Sequence, residues 1–257
     1  MKLAICGAAG RMGQSIIAIA KEDSEIQISG ALEFEGSKAI GTGCPIIFSV
    51  TDLEKIFKNT DALIDFTNPE SALKNLDLAV KQKVPVVIGT TGFSKEQKKK
   101  IYGASKIIPI VFSPNMSVGV NILFKLVEEV AKKIPDYDIE IVELHHNKKK
   151  DSPSGTAAKL AEVVASSIGK DIKDVGIYGR PSANSARKKD EIGVLSVRAG
   201  DIVGDHTVYF VGSGERIELI HRAHSRDTFA AGAVRAAKWV VGKKQGLYDM
   251  SDVLSLK

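Results

Sequence analysis

From Lys2 to about Phe112, short apolar runs alternate with amphipathic segments. The runs predict strands at Leu3–Cys6, Ile26–Leu32, Ala62–Phe66, Val84–Ile88 and Ile107–Phe112. Between them apolar residues recur at helical spacing, as in Met12, Ile16, Ile19 and Ala20, and again in Leu73, Leu76, Ala79 and Val80. Such spacing puts those side chains on one helix face. Strand, helix and strand repeating at these lengths is the pattern of βαβ units around a parallel sheet, so a doubly wound α/β domain is expected over residues 1–116.

After Ser113-Pro114-Asn115 the rhythm changes. A long helix is predicted from about Val118 to Ile134, with Ile122, Leu126, Val130 and Ile134 in register, and a strand follows at Asp138–Leu144. Later strands at Ile192–Val197, Thr207–Val211 and Arg216–Ile220 are joined by short connections rich in Gly, Asp and Ser. Several alternate apolar with polar residues, as antiparallel strands with one covered face do. The pattern predicts a second, α+β domain over 117–225 with an open mixed sheet, whose uncovered face suits either an oligomer interface or solvent. Asp227 reads as the N-cap of a helix through Phe229, Val234, Ala237 and Val241 that stops at Gly242. The segment 226–257 is expected to pack back on the first domain. The polar stretch Tyr178–Glu191, with Arg187-Lys188-Lys189, is expected to be a mobile loop.

Composition narrows the partners. With 257 residues, 44% of them hydrophobic, the chain can bury a sizeable core as one large domain or two smaller ones. Its net charge of +5 is accompanied by only 6% aromatics. No stretch interleaves basic with aromatic residues as a base-stacking surface would, so no nucleic acid partner is expected. The excess charge favours small anionic ligands, although most individual lysines read equally well as solvated surface. Cys6 and Cys44 are the only cysteines, which gives no disulfide framework or thiolate metal site and fits a reducing cytoplasm. No apolar run of about 18 residues and no leader with a cleavage site is evident, so neither a membrane partner nor secretion is expected.

Gly7-Ala8-Ala9-Gly10-Arg11-Met12-Gly13 follows the first strand directly and opens the first helix. In that context glycines serve a tight turn, close approach of backbone amides to a pyrophosphate, and close packing of helix on strand, as in a Rossmann-type dinucleotide site. Ala9 stands where the commonest spacing has its second glycine. Glu33 ends the second strand roughly twenty residues further on, where a carboxylate accepts hydrogen bonds from the adenosine ribose. The alternative for Glu33 is a solvated loop carboxylate. A carboxylate there repels a 2′-phosphate and so favours NADH, with Arg11 and Lys38 as nearby cations that soften the preference. Further turns at the carboxyl ends of strands carry Phe66 in Asp65-Phe66-Thr67, then Gly89, Thr90 and Thr91, then Ser113, Pro114, Asn115 and Met116. Open α/β sheets bind ligands at those ends.

The segment Glu143 to Ala157 leaves a strand, crosses a basic loop and starts a helix. Adjacent strand residues point to opposite faces, so His145 and His146 both reach one ligand only if the strand has ended by His146. Lys148 and Lys150 read as solvated. Ser154-Gly155-Thr156 offers backbone amides and a hydroxyl to a carboxylate at a helix N-terminus, or simply a cap. The two histidines lack a zinc-ligand spacing and a cysteine partner, so no metal is expected.

Taken together, GAAGRMG, IDFT, GTTG, SPNMSVGVN, ELHHNKKKDSPSGTA, SVRAGDIVGDH and RAHSRDTFAAGAVRAAKW resemble the dihydrodipicolinate reductase family across nearly the whole chain. The resemblance implies a homotetramer that passes hydride from NADH or NADPH to a cyclic dicarboxylate, 4-hydroxy-tetrahydrodipicolinate, with loss of water, in lysine biosynthesis through diaminopimelate. It implies His145 as proton donor or acceptor and Lys149 as second proton donor, with His146, Gly155 and Thr156 binding substrate. An acid must protonate the carbon that gains negative character, and a cation must neutralise that charge. The sequence departs from the family where Phe34 follows Glu33, a place where members using both cofactors often have arginine. It departs again at Asn147-Lys148, where a basic, histidine-containing pair is common. Two rival readings are another two-domain amino- or keto-acid dehydrogenase and a non-catalytic nucleotide-sensing protein. The first leaves HHxxK with PSGTA unexplained, and the second binds NADH without turnover.

Overall fold

A computed structural model describes residues 1–181 and 186–257. The chain divides into two compact units, one formed by Met1–Val118 together with Arg226–Lys257 and the other by Gly119–Ser225. In chain order the first run of elements is β1 (Lys2–Cys6), α1 (Arg11–Glu22), β2 (Gln27–Glu33), β3 (Ile47–Ser49), α2 (Leu53–Phe57), β4 (Ala62–Asp65), α3 (Pro69–Gln82), β5 (Val86–Ile88), α4 (Lys95–Ser105) and β6 (Pro109–Phe112). The second unit contains most of α5 (Val118–Lys133), then β7 (Asp138–His145), α6 (Gly155–Ser167), α7 (Ile172–Val175), β8 (Gly176–Ile177), β9 (Ile192–Arg198), β10 (Gly204–Val211) and β11 (Arg216–Ala223). The chain closes with α8 (Asp227–Val240), β12 (Gly246–Tyr248) and α9 (Met250–Val253).

The first unit is a seven-stranded parallel sheet in the order β12-β6-β5-β4-β1-β2-β3. Its central strands are buried along their length, as β4 and β5 show, because helices cover both faces. On one face α1 and α8 enclose Leu3, Ile5, Ile64 and Val87, with Ala233, Ala237 and Val240 supplied by α8. On the other, α3 and α4 cover Ala4, Cys6, Leu63 and Ile110. The order reverses at β1, which has β2 on one side and β4 on the other, so the ends at Cys6, Glu33 and Asp65 open on a switch point.

The second unit is a five-stranded mixed sheet, β11-β10-β7-β9-β8. Strand β10 runs antiparallel to β7 and β11, while β9 runs parallel to β7, so antiparallel pairing holds for only part of what the alternation predicts. Burial along β7 alternates strictly from Asp138 to His145. The inward set, including Ile139 and Ile141, packs with Val208, Phe210, Leu160 and Val164. The opposite face carries Val197, Val211 and Ile220, each more than a third exposed.

Several expectations need correction. Helix α5 buries Val120, Leu123, Val127 and Ala131, while Ile122 and Leu126 are 40% and 47% exposed. The helix has two apolar stripes, and spacing alone does not say which one meets the sheet. Arg226 is the N-cap of α8, without a side-chain cap, and Asp227 is the first helical residue. Strands β5 and β6 begin two residues later than the apolar runs suggest, after Val84 and Ile107. Of the stretch expected to be mobile, residues 182–185 lie outside the described residues. Its flanks are tethered, because Arg180 forks onto Glu140 at 2.7 and 3.0 Å and Arg187 reaches Asp138 at 2.6 Å.

Candidate active site

In the first unit the glycine segment makes the turn between β1 and α1. Gly7 has φ of +82°, and a Cβ there would lie 2.7 Å from the Phe66 carbonyl oxygen, so only glycine fits. At Gly13 a Cβ would come within 2.1 Å of the Gly7 carbonyl oxygen, which is the close packing of helix on turn that the motif implies. Gly10 caps α1 with no side-chain hydrogen bond, leaving the first-turn amides without a side-chain acceptor. Glu33 is 8% exposed, and its Oε1 accepts from the Ala9 amide at 2.9 Å, so it braces the glycine turn.

A cavity of about 560 Å³ opens over these strand ends, lined by Gly7, Gly10, Glu33, Phe34, Phe66 and Lys74 among others. Ala8, Ala9, Arg11, Met12, Gly89, Thr90, Thr91 and the Ser113–Met116 turn do not line it. Met116 is buried, with its carbonyl oxygen against Gly232 of α8. Thr90 is buried too, but it has a structural part. Asp65, at the end of β4, accepts from the Thr67 amide and hydroxyl, from Asn75 Nδ2 and from Thr90 Oγ1, all between 2.7 and 3.1 Å. Burial pushes the Asp65 carboxyl up, against the pull of those hydrogen bonds. Gly89 is needed because the Phe66 ring lies where its Cβ would be.

In the second unit, β7 ends at His145, so His146 is already off the strand and its amide donates to the Ile202 carbonyl at 2.8 Å. Glu143 and His145, two residues apart, share the inward face. Glu143 is fully buried and gathers donors from several elements. Arg198 forks onto it at 2.8 and 2.9 Å, His145 Nδ1 donates at 2.5 Å, and the Ser154 amide donates at 3.1 Å. Burial pushes this carboxyl up, but the bonds from His145, Arg198, Ser196 and Ser154 outweigh it and hold the group well below the usual carboxylate range. With Nδ1 bound, the tautomer and ring orientation of His145 are set, and Nε2 is the nitrogen left for chemistry. That nitrogen faces Gly204 of β10, where a Cβ would stand 2.9 Å from it.

Ser154 caps α6 by accepting from the Ala157 amide at 3.1 Å, and the same oxygen lies 3.1 Å from Nε2 of the buried His206. The His145 and His206 rings meet edge to face with centroids 5.2 Å apart. Gly155 opens onto free space. Lys149 is half-buried and paired with Asp151 at 2.9 Å, whereas Lys148 and Lys150 are exposed. The structure thus brings His145 and Ser154 together. It adds Glu143, Arg198 and His206, to which the sequence pattern assigns no role. Strand alternation pairs Glu143 with His145, but only strand register places Arg198 opposite His145 and His206 opposite Glu143.

Family models of the N-terminal and C-terminal parts of dihydrodipicolinate reductase match residues 1–116 and 119–254. Curated 4-hydroxy-tetrahydrodipicolinate reductases from Trichlorobacter lovleyi and Geobacter sulfurreducens are 53% and 52% identical, the alignments covering the whole of this chain and 100% and 99% of theirs. Among solved structures, a dipicolinate-bound dihydrodipicolinate reductase from Paenisporosarcina sp. TG-14 covers 97% of both chains with a TM-score of 0.79 at 24% identity. A probable dehydrogenase from Thermotoga maritima shares the fold at a TM-score of 0.65 and 11% identity, covering all of this chain and 93% of its own.

Proposed function

The chain belongs to the dihydrodipicolinate reductase family, and from that membership we propose how its own residues divide the work. It is an NAD(P)H-dependent oxidoreductase that reduces 4-hydroxy-tetrahydrodipicolinate in the diaminopimelate route to lysine. The nicotinamide cofactor supplies the hydride when bound. The residues at the switch point fit such a group: Gly7, Gly10 and Glu33 line the cavity over the strand ends, and the first turn of α1 has no side-chain cap on its amides. The β1–α1 turn from Gly7 to Met12 would hold the pyrophosphate, Glu33 the adenosine ribose, and Phe66 with the turns at Gly89–Thr91 and Ser113–Met116 the nicotinamide end.

Cofactor choice follows from the mouth of the cavity. Glu33 disfavours a 2′-phosphate, and Phe34, 64% exposed beside it, offers a stacking surface and no positive charge. NADH is therefore the favoured donor, with Lys74 on α3 as the cation that keeps NADPH usable.

One observation carries the catalytic assignment: Glu143, buried and clamped by Arg198, binds His145 through Nδ1 and leaves Nε2 for the substrate. His145 passes a proton at Nε2, and Lys149 supplies positive charge and the second proton. The α6 start, with Gly155 and Thr156, and the nearby His146 hold the substrate's carboxylates. Ser154 is a positioning residue, since its amide and oxygen are already engaged by Glu143, Ala157 and His206. The open face of the second sheet, with Val197, Val211 and Ile220, forms the contact of a homotetramer. Two free cysteines fit a cytoplasmic enzyme. No helix among the described residues is long and apolar enough to cross a membrane.

The test generates substrate from pyruvate and aspartate semialdehyde with the preceding synthase, adds this protein, and follows NADH and NADPH absorbance. Turnover with both, faster with NADH, is expected. Binding of NADH without turnover would overturn the catalytic reading.

A further inference from the structure

His206 is used by none of the roles assigned above, yet it sits where they meet. It is 3% exposed and lies on β10 directly across from Glu143 on one side and His221 on the other. Its ring packs edge to face against His145, and its Nε2 lies 3.1 Å from the Ser154 oxygen that caps α6. That oxygen also accepts from the Ala157 amide, so the Ser154 side chain links the first turn of α6 to the His206 ring, whose Nδ1 has no hydrogen-bond partner among the described residues.

We propose that His206 is a positioning residue for the reduction, holding the proton-transferring ring of His145 and the carboxylate-binding start of α6 in one fixed relation. The inference rests on the assignment of His145 and α6 made above. Proton transfer depends on the substrate being held at the right distance from Nε2 of His145, and a small displacement is costly. His145 is on β7 and the substrate's anchor is on α6. Glu143 joins them through the Ser154 amide, and His206 joins them a second time through the Ser154 side chain. Two ties fix an orientation where one fixes only a distance.

The ring can do this without competing for the proton. Burial, aided by the nearby His145, His221 and Lys149 and opposed by Glu143, pushes the His206 imidazole down to about 3. It therefore stays neutral at neutral pH.

The test is a double-mutant cycle on the full-length enzyme with the synthase-generated substrate. His206→Phe keeps a ring against His145 and loses the bond to Ser154, so KM for the dicarboxylate rises about five- to tenfold, as expected for one lost hydrogen bond, with a smaller change in kcat. His206→Gln keeps an acceptor for Ser154 and loses the ring, so kcat falls more than KM rises. Ser154→Ala alone raises KM, and in combination with His206→Phe adds little. A merely structural role would lower thermal stability and leave both constants within twofold of the parent, and that result would overturn the proposal, as would fully multiplicative effects. NADH affinity reports folding of each variant, and His206→Leu, which also loses the bond to Ser154, carries the cycle with Ser154→Ala should His206→Phe fail to fold. His145→Ala is measured alongside. Retained turnover there refutes the catalytic assignment, whereas loss there with unchanged His206 variants refutes only the present inference.

Discussion

At the switch point of the first unit the ligand cavity is built around a glycine turn, and Glu33, which lines it, also braces that turn through the Ala9 amide. In the second unit one buried carboxylate, Glu143, gathers a guanidinium, an imidazole and a helix-start amide, drawn from two strands and a helix. The first arrangement suits holding a large nucleotide by shape, since amides placed by a tight turn need no side chains. The second suits moving a proton, because each group's charge and direction must be set by another. Each site is therefore fragile in its own way: the first at positions where any Cβ is too much, the second at positions where any lost partner leaves a buried charge.

Changes at the reacting groups should separate the two sites most visibly. His145→Ala or Lys149→Ala is expected to lower kcat by roughly 10²- to 10⁴-fold, the usual range for a lost acid or base, and to leave the NADH Kd from fluorescence titration unchanged. An equal loss of NADH affinity would mean the two regions do not divide the work. Glu143→Ala leaves Arg198 without its carboxylate and should cost about 3–5 kcal/mol in urea unfolding. Next comes acid sensitivity. His206 binds its proton far less readily folded than unfolded, so the unfolded chain takes up more protons as pH falls from about 6.5, the ordinary histidine value, towards about 3. Stability is therefore complete above about pH 6.5 and declines below it, by up to about 1.4 kcal/mol per pH unit from this group, and melting curves of His206→Phe should lack that decline. Gly13→Ala should cost about 1–3 kcal/mol of stability through overpacking and weaken NADH binding, with the second unit's histidine cluster untouched. The smallest effect is expected at the cavity mouth: Phe34→Arg should shift the ratio of kcat/KM values about tenfold towards NADPH, the order of one ion pair with the 2′-phosphate.

The same contrast governs how much of the fold and of the site is legible in the sequence. The glycine turn is legible because much of its chemistry is local: Gly7 has a positive φ, and a Cβ at Gly13 would strike the Gly7 carbonyl oxygen. The long helix α5 is legible in extent but not in facing, since Ile122 and Leu126 form as good a stripe as the buried Leu123 and Val127. Helix α4 escapes the pattern because it buries little beyond Ile101 and is held by a Ser94–Gln97 capping box instead. In the second unit His145 is visible from its neighbours, whereas Arg198 lies 55 residues away from Glu143 and joins it only through the parallel register of β7 and β9. Pairings of that range carry no periodic trace in the chain. Lys74 is hidden for a similar reason, since only the closing of α3 over the strand ends brings it to the cavity.

The family's C-terminal part runs to residue 254, yet the chain's last stretch, from Arg226 onward, is built into the first unit. Helix α8 lays Ala233, Ala237 and Val240 into the core beneath β1, and β12 supplies an edge of the sheet. On the ribosome this reverses the usual order, in which the N-terminal domain folds first. Residues 119–225 are complete and able to collapse while the nucleotide-binding sheet still lacks its covering helix, so the part of the molecule begun first is finished last.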